Sequence, residues 1–500
     1  MVFSSVSFLF LFLPLVLLIY HCVFFLPAHL GRPSQLTFRL SNAFLLLVSA
    51  IFYFWGERYL VMLFLATTAA DFAAALLISR RGPLERGGIR SPMQRFVLVA
   101  SLCGNLLILV VFKYGGFLIR SFDPLLRAAH LSVPAFRIAL PVGISFFLFH
   151  SMSYTIDVYR GEVEPTRNFV DYACYVLMFP QLVAGPIVRY SYVAKTLLNR
   201  SVSLTYFASG VTQFIIGLGK KVLIANVVGE AADRVFGLPP QHLNAPVAWL
   251  GLVAYTIQLY FDFSGYSDMA IGLGRMFGFE LPLNFDYPYI AASVSEFWRR
   301  WHISLSTWFR DYVFIPLGGS RKGLWATRVN LLIVFFLCGL WHGAQWTFVV
   351  WGLYHGAFIM LERSPTIAGW LQRYRPAAHA YTLLVVMGGW LLFRSQDFAS
   401  AGAMFRALVG MASGPSYPLP WLLRPETILA MLCGIVFSAP VLPVLARQLD
   451  AAVIGPRPTS SPRWIPALAA LQVGGLMAVL VASSFRLVSG TYNPFIYFRF

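Results

Sequence analysis

The chain has 500 residues, is 58% hydrophobic and only 12% charged, and carries 45 Phe, 23 Tyr and 13 Trp, so no single soluble core can hide its apolar surface. Its formal net charge of +18 sits in short loops between apolar runs. That pattern follows the positive-inside bias of membrane proteins and excludes a basic nucleic-acid-binding surface.

Apolar runs of spanning length recur along the chain, at Phe8–Phe25, Leu40–Phe54, Leu60–Ile78 and Phe96–Phe112. Further runs occupy Leu331–Trp341, continuing through a short break to Met360, then Tyr381–Phe393, Ile428–Val444 and Leu468–Val481. They predict an all-α, polytopic integral membrane protein of about eleven spans with re-entrant segments, folded as one domain over residues 1–500. The first run lacks a basic n-region and a small-residue cleavage site before Arg32, so it reads as a retained span. Arg32 and Arg39 follow that span, and Arg80, Arg81, Arg86, Arg90 and Arg95 follow the third, which predicts cytoplasmic loops there and an N-terminus outside. Cys22, Cys103, Cys174, Cys338 and Cys433 form no CxxC pair and read as small apolar packing residues.

Between about residues 139 and 360 the pattern changes, because Gly, Pro, Asp, Arg and His interrupt the apolar stretches. Ionisable groups at membrane depth are costly, so function is expected there. In MFPQLVAGPIVRY, Pro180, Gly185 and Pro186 predict a backbone break, either re-entrant or a kink used for packing. Tyr255, Gln258, Asp262 and Tyr266 follow helical spacing and predict a buried polar seam. Asp262 could orient an imidazole, hold a substrate hydroxyl, or pair structurally with Arg275 or another basic residue. Gly272, Gly274 and Gly278 fail the dinucleotide spacing and read as helix packing or a helix end. Near the C-terminus, Pro456–Pro462, with Arg457 and Arg463, reads as a cytoplasmic loop, and NPFIYFRF as an interfacial tail.

Two histidines forty residues apart are the candidate catalytic groups. In SEFWRRWHISLSTWFRDYVF, Glu296 can pair with Arg299 or Arg300 on a helix, and His302 lies among Trp298, Trp301 and Trp308. In CGLWHGAQWTFVVWGLYHG, His342 ends an apolar run beside Gly343, at a break expected to open it to a cavity where a neutral imidazole can act as a base. His355 lies thirteen residues on, about 140° away on a continuous helix, and reads as a packing or gating residue outside that pocket. No HExxH, no Lys-bearing phosphate loop and no GxSxG elbow is present, so neither a metal site nor a serine nucleophile is indicated. Base-assisted transfer is, with Arg299, Arg300 and Arg310 as candidate ligands of a phosphorylated donor.

These segments resemble the membrane-bound O-acyltransferase family, in its bacterial branch that serves alginate O-acetylation. The resemblance rests on Pro141–Gly161, Phe179–Tyr190, Tyr260–Tyr289, Phe297–Gly319, Leu340–Gly356 and the C-terminal NPFIYFRF, with WRRWH and WHGA as its most specific pieces. It implies a helical ring around a thinned centre, with the family's characteristic histidine at His342 and a second polar residue at His302. It implies acyl transfer from acetyl-CoA, with no tightly bound cofactor, across the inner membrane to a periplasmic acetyl-accepting transferase of esterase-like fold. It further implies exported polysaccharide as the indirect acceptor, with membrane lipids around the chain and no part for nucleic acid. D-alanyl transfer to teichoic acid belongs to a more distant branch. The competing readings are a transporter or flippase of a lipid-linked or acyl intermediate, and a scaffold that only recruits the enzyme; no repeat of the two halves supports the former.

Overall fold

The computed structural model describes residues 2–25, 34–80, 84–130, 140–183, 185–200, 202–412, 417–445, 464–490 and 492–495. Arg32, Arg81, the Pro456–Pro462 loop with Arg463, and the tail beyond Phe495 lie outside them. Every regular element among the described residues is a helix, as the apolar runs require. Among the described residues, seven helices are long and apolar enough to cross a bilayer: α2 (Gln35–Glu57), α3 (Leu60–Ile78), α4 (Pro92–Ala128), α7 (Leu204–Phe236), α11 (Gly323–His342), α13 (Arg375–Arg394) and α15 (Ala467–Val488). Two shorter apolar helices, α1 (Phe8–Phe24) and α14 (Pro425–Phe437), accompany them. Other helices that bear on the site are α5 (Ile144–Arg160), α6 (Phe169–Leu177), α8 (Ala245–Met276), α9 (Val294–Arg300), α10 (Ile303–Phe309) and α12 (Trp346–Glu362).

The chain forms two compact units, one of residues 1–211, 270–282 and 343–345, the other of residues 212–269, 283–342 and 346–500. In the first, polar groups inside apolar helices are matched to one another. Asp71 on α3 accepts hydrogen bonds from Ser101 at 2.6 Å, from Asn105 at 3.0 Å and from Ser151. Arg200, 3% exposed, donates to Tyr20 Oη at 2.8 Å, to Asn42 Oδ1 at 2.7 Å and to Ser41, and lies 4.6 Å over the Phe279 ring. Without water, a charge stays in such a core only with partners of this kind.

The expected break follows α6. A one-turn helix, Phe179–Leu182, gives way to backbone without regular structure over residues 185–189, extended at Arg189. The exposed peptide groups find protein partners: the Val188 amide donates to His150 Nε2 at 3.0 Å and the Val188 carbonyl accepts from Tyr175 at 2.9 Å. A Cβ on Gly185 would stand 2.6 Å from Gln181 Cα, so the tight return needs glycine.

In the second unit, Tyr255, Gln258, Asp262 and Tyr266 are all buried, as the spacing on α8 predicted. Asp262 takes the structural role. Its partner is Lys221 at 2.7 Å, with the two side chains 2% and 1% exposed, whereas Arg275, in the first unit, pairs with Glu280. Lys221 also donates to Asn226 Oδ1 at 2.7 Å and to the Pro494 carbonyl. The start of the C-terminal tail is therefore tucked inward: Phe495 is 5% exposed and lies tilted against Tyr266, with 4.3 Å between ring centroids. The aromatic and basic end of the tail, which was expected at an interface, lies beyond the described residues. Gly278, at φ +83°, closes α8, and the Phe279 amide returns to the Gly274 carbonyl at 2.8 Å.

Candidate active site

The WRRWH segment folds as two short helices with His302 at the joint. Helix α9 ends at Arg300, His302 adopts a left-handed backbone (φ 44°, ψ 55°), and α10 begins at Ile303. Helix starts leave amide donors unpaired, and both starts here are satisfied from far along the chain. Glu362, at the end of α12, accepts from the amides of Val294 at 2.6 Å and Ser295 at 2.9 Å. Its carboxylate also meets the positive end of α9. Asn284 serves α10: its carbonyl accepts from the Ile303 amide at 2.9 Å, and its Oδ1 from the Ser304 amide at 3.2 Å and hydroxyl at 2.9 Å.

The same Asn284 Oδ1 lies 3.1 Å from His302 Nδ1. A backbone amide can only donate, so the atom of Asn284 that faces Ser304 is its oxygen, and His302 Nδ1 must carry the proton. In the neutral ring Nε2 then holds the lone pair. His302 is fully buried, edge-on to Phe263 at 4.7 Å between centroids and tilted against Trp341 at 5.9 Å.

His342 is the last residue of α11, 4% exposed, and the helix stops there before α12 starts at Trp346. Its ring meets Trp341 at 4.8 Å, Trp351 at 4.9 Å and Phe393 at 5.3 Å. Helices α11 and α12 approach backbone to backbone at Gly339 and Gly352, where an added Cβ on Gly352 would come within 2.1 Å of the Phe335 carbonyl. Small residues permit that approach, and it sets where the broken end carrying His342 lies.

The structure thus brings His302 and His342 together on the Trp341 ring. It also draws in His355, which stands edge-on to Trp351 at 5.2 Å, so His342 and His355 share that indole. The helical angle that separated them does not apply, because α11 and α12 are different helices with their own phases. His355 is fully buried against Trp298 at 5.3 Å, and neither of its ring nitrogens has a hydrogen-bond partner among the described residues.

Of the three arginines singled out, Arg300 is committed to Glu296 at 3.0 Å and Asp286 at 2.9 Å. Burial of the Glu296 carboxyl is outweighed by the Ala292 amide and the Arg300 guanidinium, which hold it below the ordinary glutamate range. Arg310 pairs with Asp311 at 2.7 Å. Arg299 and Arg310 line a cavity of about 590 Å³ bounded by α9 to α12, and Arg363 joins them there. Asn284 and Trp351 fall inside the resembling segments without having been singled out, and Glu362 falls outside them. The Asn284 signal is faint, an Asn in the loop before WRRWH.

Buried histidines at a helix joint and a helix break mark a candidate functional site in a helical membrane protein. The family model for MBOAT, the membrane-bound O-acyltransferase family, matches residues 160–392, which hold both histidines. The chain is 39% identical to the probable alginate O-acetylase AlgI of Pseudomonas putida over the whole of both chains. It is 34% identical to the peptidoglycan O-acetyltransferase of Helicobacter pylori, over 82% of this chain and 80% of that one. To the teichoic acid D-alanyltransferase of Bacillus subtilis it is 28% identical, over 49% of this chain and 65% of the other. The chain belongs to the membrane-bound O-acyltransferase family and is a multi-pass O-acyltransferase.

Proposed function

We propose that this enzyme passes an acetyl group from a cytoplasmic thioester donor, acetyl-CoA, across the inner membrane for O-acetylation of an exported polysaccharide such as alginate. The observation that carries the reading is the meeting of His302 and His342 on one indole, inside a chain alike from end to end to a probable alginate O-acetylase. The N-terminus lies outside, and a periplasmic transferase of esterase-like fold receives the acetyl group.

In this mechanism the acceptor hydroxyl oxygen attacks the thioester carbonyl carbon while His342 takes the hydroxyl proton. The carbon–sulfur bond breaks, and that proton leaves with the thiol. His302 assists. Its neutral ring, with Nδ1–H held by Asn284, accepts at Nε2 and so steers a hydroxyl, whereas donation to an oxyanion requires that it first take up a second proton. Membranes carrying the enzyme and its partner, incubated with acetyl-labelled CoA, test the reading. Label should move covalently to the acceptor with wild type and not with His342→Ala. Movement of label across the bilayer without a new ester would favour transport.

A further inference from the structure

The cavity lined by Arg299, Arg310 and Arg363 has no role in the mechanism above. Its polar side presents those three guanidinium groups and no carboxylate; the one acid paired to them, Asp311, is outside the lining. All three arginines are exposed, and among the described residues neither Arg299 nor Arg363 takes part in an ion pair. The opposite wall is a stripe of α11: Leu331, Val334, Phe335 and Cys338 recur at helical spacing and line roughly 10 Å of the helix. Next to that stripe, Ile333, Phe336 and Leu337 of the same span are 36–38% exposed, so the cavity borders a surface that faces hydrocarbon.

We propose that this cavity binds one anionic phospholipid, its phosphate on Arg299 and Arg363 with Arg310 beside them, and an acyl chain along the α11 stripe. Two features favour it over the phosphorylated donor. The wall away from the arginines is apolar, which suits an acyl chain and offers nothing to an adenosine. The arginines also stand where a charged head belongs, at the ends of short helices beside a membrane span. The lining includes residues on both sides of His302, among them Trp298 and Ile303, so the bound lipid braces the segment that holds the histidine.

The test is native mass spectrometry of the full chain released from nanodiscs containing equal phosphatidylglycerol and phosphatidylcholine with matched tails. Wild type should retain one phosphatidylglycerol in preference. Arg299→Gln with Arg363→Gln should cut that preference by roughly 10- to 30-fold, and Arg363→Lys should keep it. Val334→Trp, which narrows the apolar wall and leaves the charges, should also release the lipid. Excess acetyl-CoA should leave it bound. Equal retention of the two lipids, or wild-type retention by the double variant, would overturn the proposal. Displacement of phosphatidylglycerol by acetyl-CoA would overturn it too and would make the cavity the donor's seat.

Discussion

The Nδ1–H of His302 points at Asn284 Oδ1 across 3.1 Å, and that oxygen is fixed in place by the Ser304 amide it also accepts. One side chain therefore caps a helix, sets a histidine's tautomer and aims the ring.

Asn284→Asp keeps the cap and the geometry but puts a negative charge beside the ring, which favours imidazolium. If transfer needs neutral His302, the group must lose its proton before it can accept, so the acid limb of the pH–rate profile should move up by roughly one unit. At pH well above that limb the variant should recover wild-type rates. Asn284→Ala, which frees the ring, should instead lower kcat by roughly 10- to 100-fold at every pH. Burial holds the His302 ring well below the ordinary histidine range, so profiles of labelled acetyl transfer must extend down to about pH 4 to separate the two, and an Asp variant whose acid limb is not raised would exclude His302 from the proton path.

The close passage of α11 past α12 makes Gly352 a sensitive position far from any substrate. Gly352→Ala must push the Phe335 carbonyl away, so overpacking of about 1–3 kcal/mol is expected, together with displacement of His342. Thermal unfolding in detergent should show a lower midpoint, and the retained folded fraction should have reduced kcat. Gly474→Ala on α15, where an added Cβ meets nothing within 4 Å, is the matched control and should behave as wild type.

The Lys221–Asp262 pair is nearly inaccessible, so removing one partner strands the other charge. Lys221→Met or Asp262→Asn alone should destabilise by about 3–5 kcal/mol. The double change Lys221→Met with Asp262→Leu should recover most of that loss, as measured by thermal unfolding, though Asn226 and the tail carbonyl lose the ammonium they bind. Equal damage from single and double changes would mean that the tail contact, and not charge balance, is what the pair supplies.

Much of this architecture could be read from the residues because the bilayer imposes simple lengths and penalties. Apolar runs such as Leu60–Ile78 are spans because hydrocarbon accepts little else, and Pro180 with Gly185 and Pro186 breaks a helix wherever it lies. His342 was visible for the same reason, as an ionisable group ending an apolar run beside glycine. What stayed hidden depends on long-range contact. Glu362 caps α9 from 68 residues away, and Asn284 reaches His302 across a loop, so neither leaves a periodic trace. His355, read as a packing or gating residue, is buried against Trp298 and Trp351, and the helical angle drawn from His342 does not carry across the break that follows it. Asp262 showed the converse: its burial was legible, but its choice of Lys221 over Arg275 depends on how α7 packs against α8.

The central claim is that His342 is the base of an acyl transfer. The most direct measurement is the rate of covalent transfer from acetyl-labelled CoA in membranes containing equal amounts of folded wild type or His342→Ala, with partner and polysaccharide present. A loss of roughly 10²–10⁴-fold with an unchanged thermal midpoint is expected for a missing general base. Wild-type rates from a correctly inserted His342→Ala variant would contradict it.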